Sequence, residues 1–426
     1  MCALPYHAAL HRPTRKYFVA MLIAGQLLKV VSPGRCGIVP GAVHVEDDRI
    51  VEVVEGEVPT SCDLGGPDAL ICPGFIDAHV HLPQFDMIGA HGLPLLDWLR
   101  QVTFPAELRW NDVDFAASMT QRVLGQLISM GTTAVAAYAT VHFDSATAAL
   151  EVANTLGVRG AIGQVMMNRN AFTALCRPTS QLLDETERLC QAFPASNRVS
   201  AAVTPRFAIC CTEDLLSGAG ALAKQQGCLV QSHLAETVDE CEQVSALFDG
   251  MSYTNVYQNA GLLSPKSVMG HGVYLDDGDR KALHRSDTVI AHCPIANSFL
   301  RSGTMDRATL QRDGVRMAIG SDVGAGYERS MVRVARGMIE SASLIGDDYP
   351  DASEGWYAIT AGNAEALGWL DSGKIRPGAD ADLVVVEPGI PWLGGEVDPL
   401  SMLMFAWDDR WISSTILRGR LHADRA

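Results

Sequence analysis

The sequence is short of positive charge, of paired cysteines and of long apolar runs, and each shortage removes a class of function. Lysine and arginine number 33 against 49 aspartates and glutamates, for a net charge of -16. Such a surface repels nucleic-acid phosphates and anionic membranes, so no polynucleotide partner is expected. The 11 cysteines, scattered from Cys2 to Cys293, form no Cys-x-x-Cys pair. They read as reduced, mostly buried thiols of a cytoplasmic protein. Neighbouring Cys210 and Cys211 lack a second pair and make no metal clip. No apolar segment approaches the ~20 residues that span a bilayer, so no membrane partner is expected. A Gly-x-Gly-x-x-Gly phosphate turn is missing after the first strand of the central region, which counts against a dinucleotide-binding open sheet.

The chain is long enough, at 426 residues and 48% apolar composition, to bury a large core. Residues 1–20 read as an N-terminal extension. Arg12, Arg15 and Lys16 precede an apolar run in the manner of a signal peptide, but Gln26 and Lys29 interrupt that run. Residues 21–72 hold short β-rich runs, Gly37–Val45 and Ile50–Val54 among them, separated by Gly, Pro and Asp. Residues 374–426 hold more: Ala381–Glu387, Ser413–Leu417 and Gly419–His422. The two ends together predict one small β-sandwich.

Between them, residues 73–373 alternate strand-like runs with helical patterns. The runs are Gly74–His81, Thr132–Ala139, Val158–Met167, Val199–Phe207, Gly227–His233, Ser267–Leu275, Thr288–Cys293 and Val315–Ser321. Helical periodicity falls between them, as at Val113–Ser129, Ser180–Ala192, Thr212–Gln226 and Val238–Leu247. Eight mostly non-alternating apolar strands with intervening helices predict a parallel (β/α)8 barrel, a TIM-like fold in the α/β class.

Active sites of such barrels form where the strands end. The stretch Pro73 to Gln84 closes an apolar run with His79 and His81, two residues apart. On a strand that spacing turns both imidazoles to one face, where they can converge on a metal. A lone His-x-His is weak evidence. Arg206, His233, His271 and Asp322 stand at the ends of further strands and strengthen it. Singly, His233 or His271 would serve as well as a satisfied core histidine, and Asp322 as a helix cap. Together, three histidines (His79, His81, His233) and Asp322 match a catalytic Zn2+ with one position left for water, with Fe2+ or Mn2+ suiting the same donors. Such a metal lowers the pKa of bound water toward ~7. Glu236, three residues past His233, reads as a general acid/base or as a first-turn helix acid. No lysine ends strand four, which points to one metal per chain.

These residues resemble the amidohydrolase superfamily of metal-dependent barrels, and within it they are similar to the guanine deaminase family. The resemblance rests on Pro73-Gly-Phe-Ile-Asp-Ala-His-Val-His81 with His233, His271 and Asp322. More specific stretches are His81-Leu-Pro-Gln84, Pro94-Leu-Leu-Asp-Trp-Leu99, Thr103-Phe-Pro-Ala-Glu107 and Thr204-Pro-Arg-Phe207. Gly131-Thr-Thr133, Gly270-His-Gly272, Ala291-His-Cys-Pro294 and Gly320-Ser-Asp-Val-Gly-Ala-Gly326 continue it, so that it spans nearly everything after Met21.

The resemblance implies hydrolysis of guanine to xanthine and ammonia. Zinc would sit on His79, His81, His233 and Asp322. Glu236, His271 and Asp322 would be catalytic, with Glu236 moving protons and His271 orienting the attacking oxygen. Gln84, Arg206, Phe207, His233 and Glu236 would contact guanine, and a homodimer is the assembly it implies. A sibling reading is the same chemistry on cytosine, 8-oxoguanine or a triazine; a remote one is a non-catalytic scaffold. Two positions depart from the family pattern: Asn168 stands for an acid, and Ile295-Ala296-Asn297 for a Ser-Asn pair.

Overall fold

The computed structural model describes residues 20–346 and 349–424; the expected extension at 1–20 lies, but for Ala20, outside them. Among the described residues four strands come first, β1 (Ala20–Ser32), β2 (Arg35–Glu46), β3 (Arg49–Glu55) and β4 (Leu64–Pro73). Eight follow: β5 (Phe75–His81), β6 (Thr132–Tyr138), β7 (Arg159–Met166), β8 (Val199–Pro205), β9 (Val230–Leu234), β10 (Ser267–His271), β11 (Val289–His292) and β12 (Arg316–Ile319). The last three are β13 (Leu383–Val386), β14 (Ile412–Leu417) and β15 (Arg420–Asp424).

Strands β5 to β12 form one parallel sheet in chain order, the expected barrel. Every residue of β5, β6 and β8 is buried, as strands covered on both faces must be. The strands are shorter than the apolar runs that announced them. Arg206, Phe207 and Asp322 therefore stand just past the strand ends, where a side chain can turn into the mouth.

The seam between β12 and β5 is closed by single backbone hydrogen bonds and by buried side chains. Asp322 N donates to His79 O at 2.8 Å, and His81 N to Val323 O at 2.8 Å. Lower down, the buried amide of Asn363 donates to Ile76 O (2.7 Å) and Ile319 O (2.8 Å) and accepts from Ile319 N (2.8 Å). The seam is tight enough to need glycine. A Cβ at Gly320 would lie 2.5 Å from that of His79.

The chain ends build the second sheet, in the order β15-β14-β13-β4-β1-β2-β3. It is one sheet curled on itself, so the two layers of the expected sandwich are parts of a single sheet. The start of β3 meets the segment before β13, with Ile50 N donating to Ala379 O (3.0 Å) and Gly378 N to Ile50 O (2.8 Å). The curl encloses Ile23, Leu27, Val43, Ile50, Leu383, Val385 and Ile416. Its other face packs on the helices Met331–Ala342, Ala352–Tyr357 and Pro399–Ala406 around Trp356 and Trp407. Arg198, below the barrel, fastens the two sheets through Asp382 (2.6 Å) and Asp380 (3.3 Å).

Candidate active site

Strand β5 delivers His79 and His81 to the barrel mouth, β9 His233, β10 His271, and the turn after β12 Asp322. The Nε2 atoms of His81 and His233 lie 3.0 Å apart. Asp322 Oδ1 is 3.4 Å from His79 Nε2 and 3.5 Å from His81 Nε2. His79, His81 and His233 form one group of converging donor atoms, and His79, His271 and Asp322 another that shares His79.

Among the described residues these atoms face chiefly one another. The buried Nε2 atoms of His79 and His271 have no hydrogen-bond partner among the described residues. Removal from water, and then the neighbouring imidazoles, hold His81 and His233 well below the usual histidine range, so their nitrogen lone pairs stay free. Facing lone pairs beside a carboxylate, withdrawn from water, call for a cation. The donor set therefore fits one divalent metal ion.

The ring orientations are fixed from behind. His233 Nδ1 sits 2.6 Å from the backbone oxygen of Arg206, which leaves Nε2 for the mouth. His271 Nδ1 lies 2.9 Å from Asn297 Oδ1. The backbone of His271 (φ 75°) and of Asp322 (φ 49°) is left-handed, which non-glycine residues seldom adopt. The surrounding hydrogen bonds hold that strain where the two side chains must converge. Asp77, buried two residues before His79 on β5, accepts from Ser321 N (3.0 Å), Ser321 Oγ (2.5 Å) and His79 N (3.2 Å). It ties the two ligand-bearing segments together.

Glu236 is buried and precedes the helix Val238–Leu247, whose cap is Thr237; it is not the first-turn helix acid that the bland alternative supposed. Its Oε1 accepts from Ser302 Oγ at 2.7 Å, and its Oε2 lies 3.4 Å from His271 Nε2. Burial, and then the charge of Asp322, push Glu236 up to about 8. A carboxyl poised there can both take and give a proton near neutral pH.

The opposite wall carries Gln84, Arg206 and Phe207, lining one cavity with Glu236, His271 and Asp322. Arg206 Nη1 donates to both oxygens of buried Glu107, at 2.7 and 2.8 Å. Gln84 Nε2 donates to Glu107 Oε1 at 3.2 Å. Leu95, Trp98, Leu99 and Leu300 complete an apolar lining. All nine residues singled out in the sequence thus gather at one end of the barrel.

Sequence reasoning passed over four more: Asp77, Glu107, Asn297 and Ser302. Glu107 lies inside the Thr103-Phe-Pro-Ala-Glu107 stretch, and Asn297 beside the departure at Ala296, so both were in view without a role. Nothing local marks Ser302. The departure at Asn168 falls elsewhere, where its Oδ1 accepts from Thr212 N (2.9 Å) ahead of the helix Glu213–Gln226. Cys210 and Cys211 are buried free thiols outside the cavity lining.

Comparison with known proteins agrees with this geometry. The sequence profile of the Amidohydrolase family matches residues 70–422. The chain belongs to this family of metal-dependent hydrolases. Its more particular likeness is to guanine deaminases. It is 30% identical over 440 residues to the guanine deaminase of Dictyostelium discoideum, covering 94% of this chain and 98% of that one. The E. coli guanine deaminase structure superposes with a TM-score of 0.90 at 30% identity, over 95% of this chain and 100% of that one. A C. acetobutylicum guanine deaminase with guanine bound in its active site superposes with a TM-score of 0.89 at 26% identity, over 95% of this chain and 100% of that one.

Proposed function

We infer that this protein is a guanine deaminase that hydrolyses guanine to xanthine and ammonia, with zinc held by His79, His81, His233 and Asp322. The observation that carries the reading is that Glu236 and His271, 3.4 Å apart, share one cavity with that donor cluster and with Gln84 and Arg206, which Glu107 holds. When bound, the metal supplies Lewis-acid activation of water at neutral pH.

The chain's own residues do the rest. Glu107 neutralises Arg206, so the guanidinium meets the base as a directional donor without a net charge, which suits a neutral ligand. Because Gln84 gives its Nε2 to Glu107, its Oε1 is left to accept from an N–H of the base. Phe207 packs on the flat ring face. Glu236 takes one proton from the attacking water and gives it to a ring nitrogen; it then takes that oxygen's second proton and gives it to the amino group, which leaves as ammonia as the C–N bond breaks and the carbonyl forms. Ser302 fixes the Glu236 carboxylate, and His271, aligned by Asn297, orients the attacking oxygen. The leucine and tryptophan side of the cavity keeps bulk water from the reacting atoms.

The test is ammonia release from guanine by the purified protein, beside cytosine, adenine and 8-oxoguanine, before and after chelation. Guanine-selective release that chelation abolishes and zinc restores is expected. Release from another base would keep the metal centre and Glu236 but overturn the roles of Gln84 and Arg206. The same reading takes the enzyme as a cytoplasmic homodimer, so sedimentation is expected to return twice the 45.7 kDa chain mass.

A further inference from the structure

A second cavity, of ≈220 Å³, lies between β11–β12 and the helices Arg307–Arg312, Met331–Ala342 and Ala352–Tyr357. No residue lines both it and the catalytic cavity. It reaches the surface past Pro33 and Gln311, both exposed. Its walls are largely apolar, built from Met305, Met317, Met338 and Ile319. Three thioethers make a soft, polarisable lining that reshapes around flat ligands. Met317 is only half-buried although it sits on a barrel strand, because the cavity opens over it.

Most polar groups in this lining are already engaged, Tyr357 donating to Glu365 and Asn363 to Ile76 and Ile319, which suits an uncharged guest. Arg307 and Glu354 are paired with each other. His292, 3% exposed, has no hydrogen-bond partner for its Nδ1 among the described residues. Burial, and then Arg307, keep that imidazole neutral, with its pKa down at about 3. An apolar cavity of about 150 Å³ holds benzene, so this one has room for a fused pair of rings.

The cavity is also strung to the catalytic groups by one stretch of chain. His292 lines it; Asn297 then holds His271, and Ser302 holds Glu236; Met305 and Arg307 line the cavity again. Both supports of the catalytic pair therefore hang between residues of the cavity wall. Any guest that shifts His292 or Met305 shifts the chain that carries Asn297 and Ser302.

We propose that this cavity is a second binding site, for an uncharged flat aromatic molecule of one or two fused rings carrying one hydrogen-bonding group, and that its occupancy is coupled to turnover through residues 292–307. The coupling rests on the catalytic reading above; the binding does not. Indole is a suitable probe, titrated into the metal-loaded enzyme carrying methyl-labelled methionine. One indole per chain is expected by calorimetry, with shifts in the Met305, Met317 and Met338 methyl signals. Met317→Trp, which fills the cavity, is expected to weaken indole at least tenfold, and Met317→Phe less so; circular dichroism checks that both fold.

Saturating indole is expected to change kcat for guanine at least twofold in the native enzyme and to leave the rate of Met317→Trp unmoved. Unshifted methionine methyls, or equal binding to the filled variant, would overturn the site. Binding with unchanged turnover would overturn the coupling. A protein that binds indole here but releases no ammonia from guanine would count against the guanine reading and leave this site standing.

Discussion

Arg206 and Glu107 stand 99 residues apart in the chain and form a buried ion pair with Nη1–oxygen distances of 2.7 and 2.8 Å. The pair offsets the charge of a guanidinium that alone would demand an anion, which is what its proposed contact with a neutral base requires. Glu107→Gln keeps the shape and removes the charge, leaving an uncompensated buried cation. Losing one partner of such a pair costs roughly 3–5 kcal/mol. We expect a lower melting temperature, with KM for guanine raised at least about tenfold and metal content unchanged. Calorimetric melting, steady-state kinetics and metal analysis read the three separately.

Glu236→Gln retains a hydrogen bond from Ser302 and removes the proton carrier. General acid/base groups contribute about 10²–10⁴ in rate, so kcat is expected to fall within that range while KM moves little. A fall in kcat of less than tenfold would mean that another group moves the proton.

Asn297→Ala frees the His271 ring without touching a proposed metal ligand. Partners that orient a histidine in this way typically matter 10- to 100-fold, so a fall in kcat of about that size is expected with zinc content intact. Asn297→Asp, which retains an acceptor for Nδ1, is expected to recover part of it.

Asp322→Asn weakens the donor cluster at the point where β12 meets β5. Metal content by plasma emission is expected to drop well below one per chain, with activity recovered only at excess zinc. Chelation of the native protein is expected to lower its melting temperature as well, because the facing His81 and His233 nitrogens lose the cation that reconciles them.

Acid stability is set partly by histidines held uncharged. Burial first, with nearby arginine charges behind it, holds His292 at about 3 and His142 at about 4. Above pH 6.5 neither state binds the extra proton, and these groups are silent. As pH falls below 6.5 the unfolded chain protonates them while the folded chain resists, so stability drops with acidification. For the fully buried His292 the loss amounts to about 2 kcal/mol by pH 5, with a smaller one from the more accessible His142. Urea unfolding at pH 7 and pH 5 measures the difference, and His292→Phe is expected to shrink it.

The candidate metal donors His79, His81, His233 and Asp322, with His271 beside them, were legible in the sequence because a barrel puts strand ends at one mouth. The roles of Gln84 and Arg206 were legible only as a resemblance. Glu107, Asn297, Ser302 and Asp77 were not legible in their roles, since each acts on a residue far away in the chain or through a backbone hydrogen bond that no local pattern marks. Asp77 is the sharpest case: two residues from His79 in sequence, it works by gripping Ser321, 244 residues on.

The amino-acid order by itself determined the strand and helix periods, the two β-rich ends and the set of candidate metal donors at the strand ends, because each depends on spacing along the chain. Only the tertiary structure decided that the ends form one curled sheet, that Arg206 is neutralised by Glu107, and that Glu236 and His271 lie 3.4 Å apart. Those outcomes depend on which distant surfaces are buried against each other, and burial is a property of the folded whole.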